Sequence, residues 1–231
     1  MPRRPQHRRW GLRDLSGALL ALLAVTLPAC AATEEPDCAD RAEEPGYRVL
    51  FDGSRSSLEQ WQMTGPGTFE LSTGCSMVTN GGMGLLWYPE EFEDYILKLD
   101  WAITDDDNSG VFVGFPDPEG DVWTAVNHGY EIQIDPSDSP ERTTGSIYTF
   151  QGADIQARDQ AINPPGEWNS YRIIVRDDRI QVDLNGTLVN DFTSDDPGRD
   201  LSSGRIGLQN HGEHDAVHFR NVRILELSGT S

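Results

Sequence analysis

Positive charge is scarce in this chain. Against 38 Asp and Glu stand only 18 Lys and Arg, a formal net charge of -20. A surface of that sign repels phosphate backbones and anionic lipid headgroups, so no nucleic-acid partner is expected. Cysteine is also scarce, with 3 in 231 residues, and no CxxC pair or Cys/His cluster offers a structural zinc site. No apolar run reaches the roughly 20 residues that a bilayer-spanning helix needs. No glycine-rich dinucleotide fingerprint occurs, so the chain carries no redox nucleotide of its own. No stretch keeps an apolar period of 3.6 over three turns, and no repeat of fixed length is visible. What is abundant is turn chemistry: Gly 23 and Pro 14, with a mean hydropathy of -0.51. The length suits one all-β domain with a real core.

The N-terminus reads as an export signal. Arg3, Arg4, Arg8, Arg9 and Arg13 precede "LSGALLALLAVTL" (Leu15–Leu27), a short apolar run. "LPAC" then resembles the lipobox of bacterial lipoproteins, in which Cys30 becomes the lipidated first residue. Ordinary cleavage near "ACAA" is the alternative. The pair Arg8–Arg9 hints at twin-arginine export, but the following "WGLRD" fits that signal poorly. The expected location is the cell envelope, with the membrane reached only through a lipid anchor. Removal of residues 1–29 takes away five arginines and Asp14; Lys+Arg falls from 18 to 13, Asp+Glu from 38 to 37, and the net charge becomes -24. Residues 30–45 are small, acidic and proline-containing, and read as a tether. Outside the cytoplasm the remaining Cys38 and Cys75 are expected to form a disulfide.

From about 46 to 228 the pattern is β throughout. In "DYILKLDWAI" Tyr95, Leu97, Leu99 and Trp101 share one face. "YRVLF", "SGVFVGF", "GYEIQID" and "TGSIY" read as further strands. In "SYRIIVRDDRIQVDLNGTLVNDF" Tyr171, Ile173 and Val175 face one way, Asp177–Asp178 turns the chain, and Ile180, Val182 and Leu184 form the next inner face. Asn185–Gly186 supplies the positive-φ turn of a tight hairpin. Many short strands with frequent turns indicate a two-sheet sandwich or jelly roll.

Several polar patterns are candidates for chemistry. Glu131, Gln133 and Asp135 alternate with Ile132 and Ile134, so all three leave the core side of one strand, toward either water or a cleft. Glu131 and Asp135 lie about 13 Å apart along a strand. Paired glycosidase carboxylates sit roughly 5–9.5 Å apart, so these two cannot be each other's acid and base. Gln209 and His211 share a polar face in "RIGLQNH". His211, His214 and His218, with Glu213 and Asp215, suggest either a cation site or a polar loop, and His211 beside Gly212 is the strongest of them. "DDDNSG" (Asp105–Gly110) is either a calcium loop or a turn that aims Asn108 and Ser109 into a cleft. Most of Trp87, Trp101, Trp168, Tyr130 and Tyr148 are expected in the core, whereas Trp123 is expected at a ligand.

Taken together, "YRVLFDGSRSSLEQW", "DNSGVFV", "GYEIQIDP", "TTGSIY", "GEWNSYRI" and "GRIGLQNHG…VHFRNVRI" resemble, in order, the domain of unknown function 1080, also called the 3-keto-disaccharide hydrolase domain. The resemblance runs from about Tyr47 to Leu225. It implies an all-β, concanavalin-like jelly-roll sandwich of two antiparallel sheets. It also implies cleavage of glycosides already oxidised at C3, with the oxidation left to a separate sugar 3-dehydrogenase. A 3-keto group acidifies the C2 proton; a base removes it, the C1 substituent leaves, and water adds back. By resemblance Glu131 is a base or cation ligand oriented by Gln133, and a divalent cation is conceivable. Gln209 and His211 transfer protons or bind the carbonyl. Arg220 stabilises the enolate or buttresses Glu131, while Asn108, Ser109 and Tyr148 position a carbohydrate substrate. One departure stands out: Gly114 occupies the place of a frequent family arginine, which would open space for a larger ligand. A non-catalytic carbohydrate-binding lipoprotein on the same fold is the competing reading.

Overall fold

The computed structural model describes Cys38 and residues 43–227. The expected signal segment, the lipidation site Cys30 and most of the tether lie outside the described residues.

Among residues 43–227 thirteen strands and three short helices follow one another. They begin with β1 (Arg48–Phe51), α1 (Arg55–Leu58), β2 (Gln62–Thr64), β3 (Thr68–Ser72), β4 (Ser76–Asn80) and β5 (Gly84–Trp87). The central part is β6 (Tyr95–Ala102), β7 (Ser109–Phe115), α2 (Thr124–His128), β8 (Tyr130–Ile134) and α3 (Ile155–Ala161). It closes with β9 (Asn169–Arg176), β10 (Arg179–Leu184), β11 (Thr187–Thr193), β12 (Arg205–Asn210) and β13 (His218–Glu226). Eight strands form one antiparallel sheet in the order β11-β10-β9-β6-β13-β4-β3, with β1 also on β13. Five form the other, β2-β5-β12-β7-β8. This is the expected jelly-roll sandwich.

The period-2 pattern decides which side of each strand is dry. Leu97, Leu99 and Trp101 of β6, Ile173 and Val175 of β9, and Ile180, Val182 and Leu184 of β10 are buried in one core with Val111, Val113, Ile132, Ile134, Ile206 and Leu208 from the smaller sheet. Each such side chain contributes about 1.5–3 kcal/mol by leaving water. The hairpins turn where expected: Asp177 (φ 51°) joins β9 to β10, and Asn185 with Gly186 (φ 48° and 84°) joins β10 to β11.

Three features differ from the expectation. Residues 144–148 are not a regular strand but a turn-rich segment that runs along the edge of β8, bridging Ile147 to Ile132. The helices were not visible in the apolar pattern, because 4 to 7 residues are too few to show a period. Local capping does mark two: the Ser54 side chain accepts from Ser57 N at the start of α1, and the Asp154 side chain accepts from Ala157 N at the start of α3. Finally, Gly114 opens no space. It holds a left-handed backbone (φ +71°), and a Cβ there would lie 2.6 Å from Leu201 Cδ2.

The disulfide is present. Cys38 and Cys75 are bonded with Cα atoms 5.4 Å apart, closing a separation of 37 residues. It pins the segment before β1 to the β3–β4 turn. Cross-linking a loop of that length restricts the unfolded chain by about 4 kcal/mol in the entropic account. Reduction, or the double variant Cys38→Ala/Cys75→Ala, is expected to lower unfolding stability by about 2–4 kcal/mol in a urea titration, with the far-UV circular dichroism of the native state retained.

Candidate active site

The polar residues of the smaller sheet gather on its outer face, away from the core. There the loop after β7 and helix α2 fold back over the sheet. Ala125, with Val122 and Val126 against it, covers Leu85, Trp87, Phe112 and Phe115 as a second small apolar cluster. This cover is partial. Beside it a cleft of about 220 Å³ remains, with Asn108, Glu131, Gln133, Tyr148, Gln209 and His211 on its polar side. Met83, Trp123 and Val126 form the apolar side.

Register explains the convergence. Gln133 of β8 stands opposite Gly110 of β7, and Glu131 opposite Phe112. Leu208 of β12 stands opposite Val111, which sets Gln209 beside Gly110 from the other flank. Gly110 is thus the floor between two glutamines. Its missing side chain matters: a Cβ would fall 2.3 Å from Glu131 Oε1 and 2.7 Å from Glu131 Cγ. The carboxyl therefore lies across the glycine instead of standing out into water.

Glu131 is 7 % exposed. Burial pushes its pKa from 4.5 up to about 8, opposed only in part by a hydrogen bond with Gln209. With its amide oriented to satisfy its neighbours, Gln133 donates to Glu131 Oε1 and to Ser109 O, both at 3.2 Å. Gln209 Oε1 is buried without a hydrogen-bond partner among the described residues, an unsatisfied acceptor at the wall of the cleft. Tyr148 is brought in by its own backbone, whose N–H donates to Glu131 O at 2.9 Å.

His211 is held from behind. Its Nδ1 lies 2.9 Å from Asp215 Oδ2, while Asp215 Oδ1 accepts from Asn108 N at 3.1 Å. The carboxylate fixes the ring orientation and the tautomer with the proton on Nδ1, leaving Nε2 for proton transfer. Gly212 makes room for this, since a Cβ there would meet Asp215 Oδ2 at 2.7 Å. A second aspartate answers from the opposite loop: Asp107 Oδ1 accepts from Ala216 N at 3.0 Å. Burial raises the Asp107 pKa, but hydrogen bonds from Ala216, Thr104 and Asp105 outweigh it and hold the carboxyl below the usual range. Asp107 is thus a clasp between the two loops. Asn108 Nδ2 donates to Asp135 Oδ2 at 2.9 Å, which fixes that amide at the rim.

Two expected site residues lie elsewhere. Ser109 is fully buried on the core side, where its hydroxyl donates to Gln209 O at 2.6 Å; it supports the strand that carries Gln209 and meets no ligand. Arg220 belongs to β13 in the larger sheet. It donates to Asp100 Oδ2 at 3.3 Å and stacks over Trp168 with 3.8 Å to the ring centroid. It lines no part of the cleft and does not buttress Glu131. His218 also belongs to β13, and His214 is exposed outside the cleft. Among the described residues no group of three or more His, Cys, Asp or Glu is arranged to hold a metal ion, so the conceivable cation finds no ready donor set there. Met83 and Val126 were not singled out as site residues, and Asp215 was named only within a cation site or polar loop and not as the partner of His211. Only Asp215 had a signal, its spacing of four from His211 across a glycine.

The order of motifs and the sandwich agree with a known group of proteins. The chain belongs to the 3-keto-alpha-glucoside-1,2-lyase-like domain family. The match spans residues 46–225. Over 233 aligned positions the chain is 25 % identical to the 3-keto-disaccharide hydrolase of Bacteroides thetaiotaomicron, covering 79 % of each protein. Two solved structures from Parabacteroides distasonis, both provisionally described as glycosyl hydrolases, are also similar. One aligns with a TM-score of 0.63 at 26 % identity over 78 % of this chain and 99 % of the other. The second aligns with a TM-score of 0.69 at 21 % identity over 82 % and 97 %, a likeness of fold.

In this lyase-like domain the Gly110 floor and the buried carboxyl test each other. Gly110→Ala is expected to leave the sandwich folded but to turn the Glu131 side chain out of the cleft, so the raised pKa of Glu131 returns toward 4.5 in a carboxyl-carbon NMR titration. A Glu131 signal still titrating near 8 in that variant would contradict the packing argument. The same raised pKa has a stability consequence. The folded state holds the proton more tightly than the unfolded chain, so stability is full below about pH 4.5 and falls as pH rises toward about 8. Glu131→Gln is expected to abolish that fall and to be more stable than the parent at pH 9 by thermal unfolding.

Proposed function

We propose that the protein is an exported, carbohydrate-active enzyme that cleaves 3-keto-glycosides by elimination at C1–C2 followed by hydration. The observation that carries this reading is the buried Glu131 carboxyl, with a pKa near 8, in the same small cleft as an aspartate-backed histidine. A carboxylate stripped of water is a strong base suited to a carbon acid next to a carbonyl. Glu131 takes the C2 proton. The electron pair left on C2, shared with the 3-keto oxygen, forms the C1=C2 bond as the C1–O bond breaks. His211, held by Asp215, delivers a proton to the departing oxygen. Water then adds its oxygen to C1 and a proton to C2, completing a net hydrolysis. Gln209 and Tyr148 offer hydrogen-bonding groups to the sugar, with Asn108 at the rim.

The family, and the relative named as a 3-keto-disaccharide hydrolase, support the substrate class. The net charge and the cleft's polar side are compatible with a neutral sugar. Without a dinucleotide fingerprint the chain depends on a separate sugar 3-dehydrogenase for its substrate. Export is supported by the basic and apolar N-terminal sequence and by the Cys38–Cys75 bond; attachment through Cys30 rests on "LPAC" alone.

The test is aglycone release from a 3-keto-glucoside and from its unoxidised parent. Release from the keto compound alone, with deuterium from solvent entering C2, is the expected result; equal release from both, or from neither, would overturn the proposal. Because Glu131 acts as its conjugate base, kcat/KM is expected to rise with pH and level off above about 8, and Glu131→Gln to lose roughly 10²–10⁴ of the rate. A rate that instead falls through pH 8 would assign Glu131 the opposite role.

A further inference from the structure

The cleft is two-sided, and its apolar side continues into an annex. The annex has its own lining of Gly84, Leu85, Phe112, Val122 and Asn210, whose amide nitrogen is already engaged by Thr68 O and Asn80 O, and shares Met83, Trp123, Val126, Gln209 and His211 with the cleft. Glu131, Gln133, Asn108 and Tyr148 belong to the cleft alone. Glu131, the groups that orient it and the rim amide thus lie to one side, most of the hydrocarbon to the other, and Gln209 and His211 stand where the two meet. At about 220 Å³ the cleft falls below the roughly 300–1,000 Å³ of pockets for larger ligands, room for about one sugar ring. Whatever is attached to that ring must pass His211 and lie against the Trp123 side.

That side is unsuited to a second sugar. Leu85 and Phe112 are buried at 1 % and 2 % exposure and offer no hydrogen-bond partner. Hydroxyls pressed against them would lose water without replacement. Trp123 is 49 % exposed, the most exposed large hydrophobic side chain among the described residues, so its ring is free to stack. The annex is narrow as it stands, with about 20 Å³ free, but one of its walls is Met83, an unbranched thioether that repacks at low cost.

We infer that this apolar side is the leaving-group subsite and that it selects planar, apolar aglycones, so that the preferred substrates are 3-keto-glycosides of aromatic alcohols and not of sugars. This rests on the hydrolase reading above, and it places His211 beside the oxygen that departs.

The experiment compares 2-phenylethyl and ethyl 3-keto-glucosides, whose leaving alkoxides have nearly equal basicity, with a 3-keto-disaccharide alongside. The phenylethyl compound is expected to have at least about a tenfold higher kcat/KM than the ethyl compound, from burial of the ring. In Val122→Asn, which puts an amide into the annex, the ratio is expected to fall toward one. An equal rate for the two compounds, a faster disaccharide, or an unchanged ratio in Val122→Asn would overturn the inference. If none of the three is cleaved, the hydrolase reading fails by itself. Calorimetric titration with the same pair then decides the annex: tighter phenylethyl binding that Val122→Asn removes supports it, and equal affinities overturn it.

Discussion

Two aspartates hold the cleft together by an exchange. Asp107, in the loop before β7, accepts a backbone N–H from Ala216, and Asp215, in the loop before β13, accepts one from Asn108. Each loop thereby ends its own orphan donors on the carboxylate of the other. Asp215 has a second oxygen left over, and that oxygen fixes the His211 ring. The geometry of His211 is therefore a by-product of loop closure. Thr79 extends the tie inward, donating to Asp215 O and accepting from Val217 N, so the clasp is anchored on β4 of the opposite sheet.

Much of this was legible in the residues. Strict alternation in β6, β9 and β10 assigned the core faces correctly, because a one-residue error would have buried charge. The same rule put Glu131, Gln133 and Gln209 on non-core faces, and the structure brings all three into one cleft with His211. What alternation does not say is which sheet a strand joins. Arg220 has the right parity but sits on β13, so its side chain leaves the far side of the sandwich and meets Trp168 instead of Glu131. Ser109 failed for the complementary reason: one residue after Asn108, it faces the core. Gly114 shows a third kind of limit. A glycine in place of a larger residue suggests free space, yet here it answers a left-handed backbone packed against Leu201. The pairing of Asp215 with His211 depends on a turn around Gly212 that no periodic pattern encodes.

Function and stability oppose each other at Glu131. Keeping a carboxyl on a glycine floor, nearly out of water, raises its basicity and makes its charged form costly in the folded protein. The surrounding glutamines moderate this cost without cancelling it, since neither brings a positive charge. An arginine in their place would restore an ordinary carboxylate, stable and weakly basic. Among the described residues no lysine or arginine lines the cleft, which leaves the raised pKa of Glu131 uncompensated by a charged side chain.

The segment 144–148 has a consequence beyond the cleft. β8 is the outermost strand of the smaller sheet, and an outermost strand is a template on which another chain can grow. Here Gln133 N donates to Ser146 O, and Gln133 O, Asp135 O and Glu131 O accept from Gly145, Thr144 and Tyr148. The strand that presents Glu131 is thus sealed by its own chain. A protein dense with β-structure gains protection against edge-to-edge fibrillation at the margin beside its cleft, and the same peptide that brings Tyr148 into the cleft serves as the seal.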